Sequence, residues 1–144
     1  MIRCRRMSAD LVSDGRSMLG TFLEEDEFYL DSSVVYGDGG ERALDRALEL
    51  FLERPDLGFV WLAYDGDTPV GVCVISLAIS TSVGGLVAKL DDMSVVPDRQ
   101  GQGIGTRLLA GLKDELGRLA VGRIDTSVHL RNHRARSFYE DNGF

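Results

Sequence analysis

The stretch from Asp92 to Leu109, DMSVVPDRQGQGIGTRLL, constrains the fold of this chain more than any other. It reads as the end of a strand, a Pro97-Asp98 turn, a glycine-rich loop and the start of a helix. Gly101, Gly103 and Gly105 alternate with Gln102 and Ile104. Leu108, Leu109, Leu112 and Leu116 then recur at helical spacing. A glycine loop that opens a helix leaves the first N–H groups without intrahelical partners, at the positive end of the helix dipole. Such a place binds anions, a phosphate above all. The rest of the chain has to hold this loop.

The remaining elements follow from periodicity and punctuation. Residues 1–6 form a short basic strand. Ser8 is placed to cap a first helix that carries Leu11, Met18, Leu19, Phe22 and Leu23 on one face. Glu24, Glu25, Asp26 and Glu27 follow, either a solvated helix end or an acidic lip for a cation, and Phe28 to Gly40 reads as a loop. Glu41 to Arg54 is a second helix, stopped by Pro55. Phe59 to Tyr64 and Val70 to Ile79, separated by Asp65-Gly66-Asp67-Thr68-Pro69, read as an antiparallel hairpin. Leu86 to Val96 is the strand that enters the glycine loop. The helix after the loop runs to about Gly117. Arg123 to Leu130 is a strand that lies parallel to the one ending at Val96, because a helical crossover joins them. Asn132 caps a short last helix with Ala135, Phe138 and Tyr139 on one face, ended by Gly143. The whole is an α/β (α+β) chain of order β-α-α-β-β-β-α-β-α.

Composition narrows the setting. With 144 residues and 44% apolar content, one globular domain over 1–144 is expected. Cys4 and Cys73 are the only cysteines, and Cys73 sits in an apolar run, which suits a buried free thiol in a cytoplasmic protein. The basic start lacks the apolar stretch of a secretory signal. A net charge of −7 argues against nucleic acid or an anionic membrane as partner. No His/Cys/Asp cluster has metal-ligand spacing, so no metal is expected.

Glycine loops at helix starts serve three ligand classes. A P-loop needs Gly-Lys-Ser/Thr, but Thr106 and Arg107 follow Gly105. A dinucleotide fingerprint needs a third glycine where Thr106 stands. Asp125 does lie where a ribose-binding acid would, but the loop follows an antiparallel hairpin rather than a first βαβ strand. The third class fits. Gln100-Gly101-Gln102-Gly103-Ile104-Gly105 resembles the Q/R-x-x-G-x-G/A pyrophosphate loop of the GNAT superfamily of N-acetyltransferases. Leu90 to Pro97 is similar to that family's fourth strand. Asn132 to Phe144 resembles its second signature, N-x-x-A-x-x-F-Y-x-x-x-G-F, and the order of elements matches over the whole chain.

The resemblance implies a mixed central sheet with helices on both faces. It implies an acceptor side over 1–85 and an acetyl-CoA-binding core over 86–144. The backbone of Gly101 to Thr106 would hold the CoA pyrophosphate. The strand through Val95 and Val96 would splay from the strand near Ile124, admitting the pantetheine arm like an added strand. The Val95 N–H would face the thioester carbonyl as an oxyanion donor, Tyr139 would lie by the sulfur, and Asn132 would contact the CoA arm while also capping its helix. The implied cofactor-binding set is Val95, Val96, Gln100, Gly101, Gln102, Gly103, Ile104, Gly105, Thr106, Asn132 and Tyr139. Tyr139 also admits a plain reading as a core partner of Phe138. His129 and His133 read as structural or exposed.

Chemistry adds a base. An alkyl ammonium with a lysine-like pKa is neutral in about one molecule in 2,500 at pH 7, so a carboxylate has a proton to remove. Asp91 and Asp92 lie on the acceptor-side strand. Strand alternation puts only one of them in the cleft, and Asp91, expected on the face of Met93 and Val95, is favoured over Asp92. The leading reading is acetyl-CoA-dependent transfer to a primary amine of a small molecule by direct attack. Transfer to a protein N-terminus or lysine, and a CoA-binding regulatory module without turnover, are the alternatives. Family members usually continue past the Gly-Phe pair into one or two strands, whereas this sequence ends at Phe144. The strand near Ile124 is therefore expected to keep an open edge, bare or covered by a second copy in a homodimer.

Overall fold

The computed structural model describes residues 1–25, 40–128 and 131–144, with side chains from residues 22–25 excepted. Its elements are β1 (Ile2–Arg6), α1 (Val12–Glu25), α2 (Gly40–Glu53), β2 (Gly58–Asp65), β3 (Thr68–Ser80), β4 (Gly85–Val95), α3 (Ile104–Arg118), β5 (Ile124–Thr126) and α4 (His133–Asp141). Among the described residues, that is the order expected from the sequence. Side chains of residues 24–27, the loop expected from Phe28, and His129 lie outside the described residues.

The strands form one sheet in the order β1-β2-β3-β4-β5. The first four pair antiparallel, and β4 and β5 pair parallel. β2 is buried along almost its whole length, because both faces of the sheet are covered there. Phe59, Trp61 and Ala63 join Leu108, Leu109, Leu112 and Leu116 of α3 in one cluster. Val60, Leu62 and Tyr64 join Met18, Leu19, Leu44 and Leu48 of α1 and α2 in the other. The Trp61 Nε1–H donates to the Leu108 carbonyl at 3.1 Å and ties the sheet to α3. On the other face the Tyr64 hydroxyl donates to Asp14 at 2.8 Å.

Two local expectations are corrected. Ser8 makes no side-chain cap. It precedes a 3-10 turn over Ala9–Leu11, and its hydroxyl bonds Asp10. Of the strand expected over Arg123 to Leu130, the described residues form strand over Ile124–Thr126. Its pairing with β4 covers Ala88, Lys89 and Leu90 and ends at Thr126. Among the described residues no further strand pairs beyond β5. No helix of the described residues is long and apolar enough to cross a membrane.

Candidate active site

The site is made where β4 leaves its neighbours. Against β3, Val74 pairs with Asp91 but Val72 pairs with Ser94, so β4 carries an extra residue opposite Cys73. Asp92 is at that bulge, in the left-handed region at φ 54°. A bulge bends its strand and resets the alternation of side chains. Before it, Ala88 and Leu90 face α3. After it, Met93 and Val95 face α3. Asp91 therefore does not share a face with Met93 and Val95. It pairs with Val74, on the side of α1 and α2, and its carboxylate lies 3.8 Å from the Lys89 ammonium.

The bulge also explains the gap. Beyond Leu90, β4 has no partner in β5. Paired residues in an antiparallel ladder alternate between bonded and non-bonded. The Val96 N–H donates to the Val70 carbonyl at 3.0 Å, so the adjacent Gly71–Val95 pair is the non-bonded kind. The Val95 N–H and C=O thus turn away from β3, toward the side where β5 has parted. The Gln100 amide donates to that carbonyl at 3.1 Å.

At the end of this gap sits the glycine loop. Gly101 and Gly103 both have φ 80°, a conformation that costs any side chain with a Cβ. Gly103 precedes α3 and offers no side-chain cap, which leaves the first N–H groups of α3 to a ligand. Gly105 is needed for a different reason. A Cβ there would stand 3.0 Å from Phe138 Cζ and 3.3 Å from Met93 Cε, where α4 and β4 close on the start of α3.

A cavity of about 560 Å³ joins these parts, lined by Met93, Ser94, Val95, Arg99, Gln100, Gly101, Gly103, Ile104, Gly105, Thr106, Asn132, Arg134, Ala135, Phe138 and Tyr139. Nine of the eleven expected cofactor-binding residues are in that lining. Val96 and Gln102 are not: the Val96 N–H is spent on β3, and the Gln102 side chain accepts from Arg99 Nε at 3.1 Å. Asn132 caps α4, accepting from the Ala135 N–H at 3.2 Å. The N-cap reading of Asn132 therefore holds, and the same residue lines the cavity. His133 is exposed. Met93, Ser94, Arg99 and Arg134 were not singled out by sequence. Their positions flanking the loop and the Asn132 motif were the only signal.

Tyr139 stands edge-on to Phe138 and Phe144, with ring centroids 5.5 and 5.4 Å away. The core reading thus holds, and the ring still reaches the cavity. Its phenol is pushed up to about 12, first by burial, while a hydrogen bond with Thr126 acts the other way. The Cys73 thiol and the carboxylates of Asp91 and Asp92 add to the rise. Of the three catalytic candidates, Tyr139 lines the cavity, whereas Asp91 and Asp92 line neither it nor the cavity toward α1. A second cavity, about 390 Å³, lies toward α1, with Ser17, Met18 and Thr21 on its helical wall. It shares Ser94, Val95 and Gln100 with the first.

Comparison with known proteins agrees with this geometry. Residues 22–144 match the model of the acetyltransferase (GNAT) family. The uncharacterized N-acetyltransferase YhfO of Bacillus subtilis (strain 168) is 26% identical over 132 residues, covering 92% of this chain and 84% of the relative. The integron cassette protein HFX_CASS3, from the mobile metagenome of Cole Harbour Salt Marsh, is 27% identical with a TM-score of 0.78, over 98% of this chain and 82% of that one. AAC(6')-Iy, solved with the bisubstrate analog CoA-S-monomethyl-acetylneamine, shares the fold at 15% identity and a TM-score of 0.77, over 100% of this chain and 90% of that one.

Proposed function

Because the chain belongs to the acetyltransferase (GNAT) family, we propose that it moves the acetyl group of acetyl-CoA directly to a primary amine of a small molecule. The observation that carries this reading is the parting of β4 from β5 after Leu90, with the Val95 N–H and C=O turned into the gap. An extended arm with amide groups can pair there as a strand would. The glycine loop at the end of the gap supplies N–H groups and a helix dipole for the pyrophosphate. Residues 86–144 thus serve the coenzyme and 1–85 the acceptor.

The residues divide the reaction between them. The Val95 N–H donates to the thioester oxygen as charge builds on it. Asp91 or Asp92 takes one proton from the alkylammonium, and the freed lone pair forms the C–N bond as the C–S bond breaks to release the CoA thiolate. The second proton on nitrogen leaves to water to give the neutral amide. Tyr139 then faces a thiolate. A phenol near 12 holds its proton more tightly than a thiol near the ordinary 8.5. Tyr139 therefore acts as a hydrogen-bond donor that stabilises the departing sulfur, without giving up its proton outright.

A small acceptor is favoured by scale. The cavity beside Ser94 and Val95 is about 390 Å³, within the range of small-molecule sites. The fold-sharing AAC(6')-Iy, solved with a bisubstrate analog carrying an acetylneamine, supports the same class. The test is thiol release from acetyl-CoA against a panel of amino alcohols, amino sugars, polyamines and peptide amines. The reading expects a small amine to raise release above hydrolysis, with one N-acetyl product per thiol. Stimulation by peptides alone would replace the small acceptor with a protein one. Binding of acetyl-CoA with no stimulated release would leave a module without turnover.

A further inference from the structure

The turn after β2 and the loop after β4 are joined by one side chain. Arg99 Nη2 donates to Asp65 Oδ2 at 2.7 Å, and Arg99 Nε donates to Gln102 Oε1 at 3.1 Å. Asp65 ends β2 beside the hairpin turn, 34 residues away in sequence. Its other oxygen, Oδ1, lies 3.6 Å from the N-terminal ammonium. Arg99 also lines the larger cavity. A guanidinium there could be read as a direct ligand of the pyrophosphate. The geometry favours another role. Two arms of its fork are committed to Asp65 and Gln102, and the carboxylate offsets its charge.

The loop has a reason to need tethering. Gly101 and Gly103 hold positive φ, and glycine loses more conformational freedom on ordering than any other residue. A loop left free would charge that ordering cost against coenzyme binding, whereas one already held spares it. We propose that Asp65 and Arg99 are positioning residues, a clamp that sets the glycine loop, through Gln102, in its coenzyme-binding shape before acetyl-CoA arrives. This rests on the coenzyme reading of the loop given above.

The sign of one substitution separates the clamp from a direct charge. Asp65→Asn takes the carboxylate charge out of the clamp and weakens it, while leaving the Arg99 charge in place. Arg99→Lys keeps the charge but loses the fork that spans two partners. CoA binding by titration calorimetry, with steady-state kinetics beside it, reads both. The clamp expects each variant to weaken CoA by about threefold to fivefold, the scale of a partly exposed ion pair. The KM for acetyl-CoA should rise by the same factor, with kcat and the acceptor KM little changed. The double variant should be no weaker than either single one. Amide exchange over residues 101–106 should also quicken in coenzyme-free Asp65→Asn. Asp65→Asn binding CoA as well as, or more tightly than, the parent chain would overturn the clamp in favour of a direct ligand. A parent chain that does not bind CoA at all would sink the coenzyme reading, and the clamp with it.

Discussion

A phenol that keeps its proton until about pH 12 is suited to donating and unsuited to acting as a base. That fixes the sign of its pH dependence. The raised pKa means the protonated, donating form of Tyr139 is present throughout the ordinary assay range. It is lost only as pH climbs toward 12. Tyr139→Phe should lower kcat by about 10- to 100-fold, at the low end of acid–base effects because a thiolate leaves readily, and should leave the KM for acetyl-CoA within about twofold. An alkaline limb near pH 9 in the parent enzyme that disappears in Tyr139→Phe would contradict this assignment. The base is a separate matter. Removing the working carboxylate, as Asp91→Asn or Asp92→Asn, should cost about 100-fold in kcat/KM for the amine at pH 7. Part of that should return at higher pH, where more of the amine is already neutral.

At the scale of elements, the bulge in β4 does most to shape the site. It separates Asp91 from Met93 and Val95, aims the Val95 backbone into the gap, and lets β5 part after three residues. Asp92 holds a left-handed conformation that asparagine and aspartate tolerate and β-branched residues do not. Asp92→Gly should therefore keep the bulge without backbone strain and cost less stability than Asp92→Val. Asp92→Val should lose about 1–2 kcal/mol in urea unfolding. If Asp92→Gly also keeps full activity, Asp92 is not the base. This element also marks the limit of what the sequence discloses. Strand alternation assigns faces only while the ladder is regular, and past the bulge it puts Asp91 on the wrong side. The length of β5 escapes the sequence for the same reason. Val128 and the residues near it look like strand, but β4 has already turned away. The Asp65–Arg99 pair spans two loops, and no local pattern announces it.

On the scale of the whole molecule, the sequence reads well where period and punctuation agree. Leu108, Leu109, Leu112 and Leu116 recur at helical spacing, and all four are buried. The hairpin around Gly66 and the glycine loop are likewise visible, because glycine marks positions that other residues avoid. The order of the nine described elements follows from such period and punctuation, and the place of the larger cavity from the two motifs that flank it. The sheet divides the core into two clusters, one under α3 and one under α1 and α2. Leu112 is fully buried in the first. Leu112→Ala should cost about 2–5 kcal/mol, read as a lower urea midpoint with an unchanged slope. A loss well under 1 kcal/mol would mean that α3 is not seated on the sheet as described. The loop that α3 carries depends on that seat.

If the glycine loop and the gap beside β4 hold the coenzyme, both must respond to it. Titration of the isotope-labelled chain with CoA, followed by amide NMR, tests this. Saturable shifts are expected at the amides of Val95 and of residues 101–106, with smaller changes around Asn132 and Tyr139. Shifts confined to the flank of α3 that faces β1, in the cavity lined by Cys4, Arg107, Gly111 and Arg118, or no saturable shift at all, would contradict it.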